Sequence, residues 1–339
     1  MRNKVMIVLV MLVFSISLLA GGCANMESKT VAATSKYPNQ PITIIVPFSA
    51  GSGTDLTARL LEKIAPKYLG QALVVVNKPG ATGSIGWNEL INSSPNGYTI
   101  GVTAFDLLLL PHYGINKYDY PTALNPLVQI SAVPMVLVAH SDLQCQTLEE
   151  LINYGKVNPG KLKFGGGGVG GIPHVLGGMF NQEAGIDAEY VPFNGSSEAT
   201  AALLGSHLQF IFVNPMTIKE HIRNGTVKAL AVTGENRLND PVLGQIPTFK
   251  EQGFNITLKN WFGIASPKEI PDDVQKTLTE GLKAMVNDPE FQKGMLNMGL
   301  PVEYLGPEES KEKWILDREI LNKELKKTGI LEQIKSQKK

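Results

Sequence analysis

Short apolar runs alternate with helix-like stretches along most of this chain. The runs are rich in Val, Ile and Leu and are bounded by polar or small residues, which predicts buried β-strands. The strands predicted in this way are residues 42–46, 73–76, 98–102, 161–164, 188–193, 209–213, 229–232 and 261–265. Regular alternation of strands and helices predicts an α/β fold with parallel or mostly parallel sheets covered by helices.

Two of the predicted helices have a clear apolar period. Leu56, Leu60 and Ile64 recur every fourth residue after the first strand, and Pro66 is expected to end or kink that helix. The helix after Pro271 has an apolar face made of Val274, Leu278, Leu282, Met285 and Val286. A final charged helix is predicted from about residue 308 to residue 327.

The order of these elements predicts two lobes. The apolar run 133–139 is long enough to pass from one lobe to another, and 261–265 is expected to return. The second lobe is then an insertion in the first. The predicted organisation is a first lobe from residues 37–137 and 260–339, and a second lobe from residues 138–259.

Composition supports a globular chain and excludes several classes. The chain has 339 residues, of which 43% are apolar and 18% are charged, so disorder is excluded. At roughly 100 to 200 residues per domain, two lobes fit this length. Lys and Arg number 31, as do Asp and Glu, so no bulk field attracts nucleic acid. A nucleic-acid partner is therefore not expected.

The N-terminus has the pattern of an export signal. Arg2 and Lys4 precede the apolar run 5–20, and small residues lead to Cys23. This resembles the lipobox of bacterial lipoproteins, although Ala20 stands where Leu is usual, and an ordinary cleaved signal stays open. We expect a signal peptide over residues 1–22, lipidation of Cys23, a polar tether over residues 23–36 and a lipoprotein anchored outside the cytoplasm.

The remaining reactive residues show no metal or cofactor pattern. Cys145 has no His or Lys beside it, so its thiol is expected to be inert. The five histidines lack HExxH spacing and cysteine companions, so no metal and no cofactor are expected.

Three predicted strands are each followed by a small-residue loop that starts a helix. These loops lie at residues 47–55, 165–171 and 194–197. Free N–H groups and the helix dipole make such a loop an anion site without Lys or Arg. In an α/β sheet, all three loops would lie at the carboxyl ends of strands, where ligands bind. The sequence therefore predicts a small anion held by backbone groups.

Other interpretations of these loops are weaker or stay open. Gly165, Gly167 and Gly170 match the dinucleotide fingerprint, but Asp187 precedes the following strand instead of ending it. An exported hydrolase would need a nucleophile elbow that the loop at residues 47–55 does not supply. Asp55 is placed either to cap its own helix or to contact ligand. The chain is expected not to be an enzyme.

Several motifs in order along the chain resemble the solute-binding proteins of tripartite tricarboxylate transporters, also called Bug receptors. They are Ile45-Val46-Pro47-Phe48 through Asp55, Asn77-Lys78-Pro79-Gly80-Ala81-Thr82-Gly83, Pro95-Asn96-Gly97-Tyr98-Thr99, Val191-Pro192-Phe193-Asn194-Gly195-Ser196 and Ile246-Pro247-Thr248-Phe249. The resemblance implies a type II periplasmic-binding-protein fold, in which two doubly wound lobes joined by a hinge close on a small carboxylate. This sequence departs from the family at Phe105, where the family commonly has a small or polar residue. The Phe105 ring could narrow the pocket or offer a contact to an aromatic acid.

The resemblance also implies a site and a partner. The candidate ligand-binding residues are Phe48, Ser49, Gly51, Ser52, Gly53, Thr54, Asp55, Thr103, Phe105, Gly166, Gly167, Gly168, His174, Asn194, Gly195, Ser196 and Asn214. His174 is expected either to face the cleft or to lie on the surface at a helix start. The implied role is delivery of an organic carboxylate to a membrane permease by a monomeric receptor. A sensor that presents its closed form to a membrane histidine kinase is the alternative.

Overall fold

The structure is a computed structural model that describes residues 37–114, 117–193, 195–328 and 331–332. The signal peptide, Cys23 and the tether predicted from the sequence lie outside these residues. The strands are β1 (Ile42–Val46), β2 (Leu73–Asn77), β3 (Thr99–Ala104), β4 (Leu124–Pro134), β5 (Val136–His140), β6 (Lys163–Gly167), β7 (Glu189–Phe193), β8 (Phe210–Val213), β9 (Val227–Val232), β10 (Lys259–Pro267) and β11 (Val302–Leu305).

The helices cover the faces of the sheets that these strands form. They are α1 (Gly53–Leu69), α2 (Ser84–Asn92), α3 (Asp106–Leu109), α4 (Tyr120–Ala123), α5 (Leu148–Val157), α6 (Ile172–Ala184), α7 (Ser196–Leu204), α8 (Pro215–Arg223), α9 (Asp272–Val286), α10 (Pro289–Asn297) and α11 (Pro307–Thr328). Short 3₁₀ turns include Ala81–Gly83 and Leu110–Tyr113. Within the described ranges, no helix has the length and apolar character needed to span a membrane.

The strands form two mixed sheets. The first sheet has the order β11-β4-β10-β3-β1-β2, and the second sheet has the order β7-β6-β8-β5-β9. The pairs β1–β2, β1–β3, β6–β7 and β6–β8 are parallel, but β10 and β5 run antiparallel to both of their neighbours. Most strands of each sheet therefore run in one direction, as predicted, and the strands that run against them are β5 and β10, which follow the crossings between the sheets, and the edge strand β11.

The second sheet is inserted into the first, as the order of elements predicted. The chain changes sheet at Met135, between β4 and β5, and returns between β9 and β10. Thr233, which is fully buried, joins the two crossing segments. Its Oγ1 accepts from the N–H of Met135 at 2.9 Å and donates to the carbonyl of Leu258 at 2.7 Å. The exact lobe boundaries, at 137/138 and 259/260, stay predictions.

Helix α1 differs from its prediction in two ways. Of the predicted stripe, Ile64 is buried, but Leu60 is only half-buried and Leu56 is 39% exposed; the buried face also includes Ala58 and Leu61. The helix also continues through Pro66 to Leu69, where Gly70 adopts the left-handed conformation and donates its N–H to the carbonyl of Pro66. Pro66 removes the one intrahelical hydrogen bond that an N–H there would donate to the carbonyl of Glu62, and the helix ends three residues later, so the disturbance is confined to the last turn.

The remaining helices agree better with the pattern. In α9, the five residues of the predicted apolar face are all buried. Helix α11 places Trp314 in a stack on Trp261 of β10, with ring centroids 5.8 Å apart. Its C-terminal turn contacts α6, because Gln182 Nε2 donates to the carbonyl of Lys327 at 2.8 Å. Helix α11 therefore packs on elements of both sheets.

Candidate functional site

The carboxyl ends of the parallel strands meet at one place between the two sheets. Thr82, after β2, places its Oγ1 3.1 Å from the position a Cβ would take on Gly168, after β6. Asp106, after β3, accepts a hydrogen bond from the N–H of Ile172 at the start of α6. These contacts join loops from opposite sheets. The predicted loop at residues 165–171 therefore meets segments that follow β2 and β3 of the first sheet.

The first loop is held in shape by Asp55. This carboxylate is 1% exposed and accepts from the N–H of Gly51 at 2.8 Å, from Nδ2 of Asn77 at 2.9 Å and from Nε of Arg59 at 3.0 Å. Burial alone would raise the pKa of Asp55, but these three donors outweigh it and hold the pKa below its usual range. Ser52 caps α1 by accepting from the N–H of Asp55 at 3.3 Å. Asp55 thus shapes the loop, and Ser52 is the cap.

The start of α1 keeps its outermost donors available. The N–H groups of Gly53 and Thr54 have no hydrogen-bond partner among the described residues. Ser49 is exposed, and Phe48 is half-buried with its ring edge-on to Trp87 at 6.1 Å. Two backbone donors and a partial positive charge therefore face the space in front of this helix.

The glycine run of the second sheet is only partly a loop. Gly166 and Gly167 belong to β6, and the loop begins at Gly168. A Cβ on Gly166 would lie 2.4 Å from Cβ of Pro173, so glycine is required there for packing. A Cβ on Gly167 would lie 3.4 Å from Cα of Gly195 in the next loop. The expectation that the whole run forms a loop is wrong because β6 extends further than its apolar residues.

Most donors of this glycine loop are already engaged. Gly168 donates its N–H to the carbonyl of Phe193 at 2.7 Å, and Gly170 donates its N–H to Nδ1 of His174 at 3.1 Å. His174 is 2% exposed, and its ring stacks on that of Tyr190 with centroids 3.9 Å apart. His174 is therefore not a surface residue at a helix start. It supports the loop from within.

Asp106, which is outside the predicted set, completes this loop. Asp106 is 9% exposed, and burial raises the pKa of its carboxyl to about 6 against the opposing effect of the hydrogen bonds from its own N–H and from Ile172. Beside it, the hydroxyl of Tyr113 donates to the carbonyl of Gly170. Burial and the charge of Asp106 raise the pKa of Tyr113. The start of α6 is thus occupied by the protein's own carboxylate.

The third loop starts α7, and Asn194 lies outside the described residues. Gly195 is the N-cap residue of α7, and its backbone is extended. A Cβ added to Gly195 would have no other atom within 4 Å, so there is open space in front of it. Ser196 and Ser197 are exposed, and their N–H groups have no hydrogen-bond partner among the described residues. Asn214, after β8, is half-buried and accepts the N–H of Thr217 at its carbonyl. The start of α7 is therefore open, like that of α1.

The end of β3 supplies one polar and one apolar candidate. Thr103 is 1% exposed, and its Oγ1 has no hydrogen-bond partner within the described parts of the chain. Phe105 is also 1% exposed and lies edge-on to Trp261 at 6.1 Å. Its ring is part of the core, so the expectation that it offers a ring to the ligand is not supported. Thr103 therefore carries a buried hydroxyl whose role as a ligand contact stays a prediction.

The cationic side chain beside the first loop is already paired, which does not favour binding of an anion by a Lys or Arg side chain there. Arg59, beside the first loop, is paired with Asp55. In the described ranges, no cluster of His, Cys, Asp and Glu could hold a metal ion. Cys145 is buried, and burial and, to a lesser degree, Glu150 raise the pKa of its thiol, which agrees with an inert residue.

Sequence reasoning missed Asp106, Tyr113 and Tyr190. Asp106 lies four residues after the predicted strand 98–102 and two after the end of β3, near a strand end where ligands bind, so its position was a usable signal. Tyr190 lies inside a strand, and Tyr113 follows β3 by a short helix and a turn, so nothing in their spacing marked them. Of the predicted set, the structure leaves open donors at α1 and α7 and closes the start of α6.

The comparisons with known proteins agree with this arrangement. The model of the tripartite tricarboxylate transporter family receptor matches residues 57–330. BugT of Bordetella pertussis is 33% identical over 239 residues, covering 68% of this chain and 72% of BugT. The solved structure of the periplasmic binding protein BugD is 31% identical, with a TM-score of 0.79 over 87% of this chain and 99% of that one.

A protein from R. palustris solved with adipate has the same fold, with a TM-score of 0.79 at 24% identity over 86% of this chain and 98% of its own. Since the family model spans well over half of its residues, this chain belongs to the tripartite tricarboxylate transporter receptor family, as a solute-binding protein of the TctC type.

Proposed function

We propose that this protein captures a small organic carboxylate outside the cytoplasm and delivers it to a tripartite tricarboxylate-type membrane permease. The observation that carries the proposal is the pair of open helix starts, at Gly53 and Thr54 of α1 and at Ser196 and Ser197 of α7. Both lie at carboxyl ends of parallel strands. Backbone N–H groups at a helix start are a general binding site for carboxylates.

The energy of such a site is sufficient without a cation. A micromolar Kd corresponds to about −8 kcal/mol. Hydrogen bonds to a charged group contribute roughly 1.5 to 3 kcal/mol each, and a helix terminus adds about 0.3 to 1 kcal/mol. The four N–H groups of the two open starts, with the hydroxyl of Thr103, therefore reach the required range.

The relatives support the ligand class and the transport role. The adipate bound to the R. palustris protein is a carboxylate, and the matching family is named for a transporter. An export signal followed by Cys23 fits a receptor tethered by lipid at the membrane, although these residues lie outside the described ones. Lipid anchoring of Cys23, the permease partner and the monomeric state form part of the proposal.

A thermal-shift screen of carboxylates tests the proposal directly. A ligand present at 100 times its Kd should add about 2.7 kcal/mol of stability, which is easily detected. Neutral sugars should give no shift. A complete absence of carboxylate ligands would overturn the proposed function.

Two variants then locate the site by calorimetry. Gly195→Val adds a side chain in front of the α7 start without requiring a left-handed backbone, so it should weaken binding at least about tenfold. Lys78→Ala is the matched control, because Lys78 follows β2 at the same edge but is paired with Glu89 at 3.1 Å. A larger loss in Lys78→Ala than in Gly195→Val would show that a cation, and not the backbone, holds the ligand.

A further inference from the structure

One of the three helix starts at the facing edges is already occupied by a carboxylate of the chain. Gly171, the N-cap residue of α6, has no side chain to cap the helix. A Cβ on Gly171 would lie 3.3 Å from Oδ1 of Asp106 and 2.6 Å from the carbonyl oxygen of Gly167. Asp106 comes from the opposite sheet and accepts from the N–H of Ile172. Its carboxylate therefore stands where a capping side chain would stand.

The start of α6 has no further donor to offer a ligand. Pro173 has no N–H, and the N–H groups of His174 and Val175 donate to the carbonyl of Gly171 at 3.0 and 3.2 Å. The N–H of Gly170 is taken by His174, as described above. A second carboxylate placed at the start of α6 would face the charge of Asp106, while the N–H groups of Gly170, Ile172, His174 and Val175 are already engaged.

The surroundings do not neutralise Asp106. Among the described residues, none of the salt bridges includes it. The nearby hydroxyls of Tyr113 and Tyr190 donate to the carbonyls of Gly170 and Gly168, and not to Asp106. Because Asp106 is only 9% exposed, solvent screens its charge weakly, so a second carboxylate close to it would be repelled and an ammonium group would be attracted.

We propose that Asp106 is a specificity-determining residue that restricts the receptor to acids with a single carboxylate. That carboxylate binds at the open starts of α1 and α7. The other end of the ligand, which lies toward Asp106, is uncharged or carries an ammonium group. This inference rests on the proposed function and narrows its ligand class.

Ligands matched in chain length isolate the charge of the distal group. Hexanoate, 6-aminohexanoate and adipate share a six-carbon chain, and butyrate, 4-aminobutyrate and succinate share a four-carbon chain. A panel of such triplets from three to eight carbons is ranked by thermal shift, and Kd values are measured by calorimetry. For the unaltered protein, the dicarboxylate of each binding triplet is expected to be at least about tenfold weaker than its best monocarboxylate.

Asp106→Asn keeps an oxygen that accepts from Ile172 but removes the charge. In this variant the ratio of the Kd of the dicarboxylate to that of the best monocarboxylate should fall at least about tenfold. The Kd values of the amino acid and of the plain monocarboxylate should become equal. Asp187→Asn, which removes an exposed carboxylate, is the control and should leave both ratios unchanged. Circular dichroism and the melting temperature without ligand verify folding, and Asp106→Ser serves as a second variant if Asp106→Asn does not fold.

The outcomes separate the two proposals. A di- or tricarboxylate as the tightest ligand of the unaltered protein, or ratios unchanged by Asp106→Asn, would overturn the role of Asp106 and leave the carboxylate receptor intact. No binding by any acid would overturn the proposed function and this inference with it.

Discussion

At the scale of single residues, two buried carboxylates at the facing edges have opposite environments. Asp55 is held by three donors, one of them the guanidinium of Arg59, and its pKa lies below the usual range. Asp106 has two backbone donors and no cation among the described residues, and burial raises its pKa to about 6. The same residue type therefore stabilises one loop in ionised form and is costly to ionise in another.

This difference predicts a pH dependence that belongs to Asp106. In the unfolded chain its pKa would be about 3.9, so between pH 4 and 6 the folded state binds a proton more tightly. Its contribution to stability is therefore fully present below about pH 4 and is lost as the pH rises through about 6. Asp106→Asn cannot ionise and lacks this loss. The free energy of unfolding of the unaltered protein, relative to that of the variant, should fall by about 2 kcal/mol between pH 4 and pH 7.5.

Urea unfolding of both proteins at pH 4, 5.5 and 7.5 measures this difference. Asp55→Asn provides the opposite sign, because its folded-state pKa is lowered and its stabilisation is lost on acidification. A difference between Asp106→Asn and the unaltered protein that stays constant over this range would contradict the assignment.

At the scale of elements, the apolar pattern predicted most strands and helices, and the errors have physical causes. In α1, Leu56 shares its period with buried residues but is exposed, since several rotations of the apolar stripe fit the same sequence. In β6, the glycines that read as a loop pair with β7, because backbone hydrogen bonds and not side chains define a strand. The open starts of α1 and α7 were predictable. The closure of α6 was not, since it depends on Asp106 from another sheet.

The segments that cross between the sheets lead to a prediction about Thr233. Thr233→Val keeps the shape of the side chain but removes the hydroxyl that bonds both Met135 and Leu258. The N–H of Met135 and the carbonyl of Leu258 then lose a buried partner, so the free energy of unfolding should fall by about 2 kcal/mol. Thr277→Val, on the exposed side of α9, removes a hydroxyl that bonds the carbonyl of Asp273 and should change stability by less than about 0.5 kcal/mol.

Urea denaturation midpoints with an unchanged m-value would show the expected effect. Equal losses in the free energy of unfolding of Thr233→Val and Thr277→Val would contradict this prediction, because the buried hydroxyl of Thr233 would then stabilise the protein no more than an exposed one.

At the scale of the whole molecule, the two sheets are connected by more than the crossing segments. Helix α11 stacks Trp314 on Trp261 of the first sheet, and its end contacts Gln182 of α6. Thr82, Asp106 and Tyr113 reach from the first sheet to the glycine loop of the second. The contacts between the two sheets and their helices are therefore mostly neutral hydrogen bonds and apolar packing, with Asp106 and the ion pair of Lys327 with Glu183 at 3.7 Å as charged exceptions.

The equal numbers of basic and acidic residues predict how ligand binding depends on salt. Lys and Arg equal Asp and Glu in number, and the open donors at α1 and α7 are backbone N–H groups. Neither the net charge nor a surface cation then attracts the ligand over distances that salt screens. The Kd of the best carboxylate should consequently change by less than about threefold between 50 and 500 mM NaCl. Calorimetry over this range, repeated with sodium sulfate to test competition by an anion at the helix starts, measures the effect. A Kd that increases in proportion to the salt concentration would indicate that a Lys or Arg side chain contacts the ligand. The binding by backbone N–H groups proposed above would then be wrong.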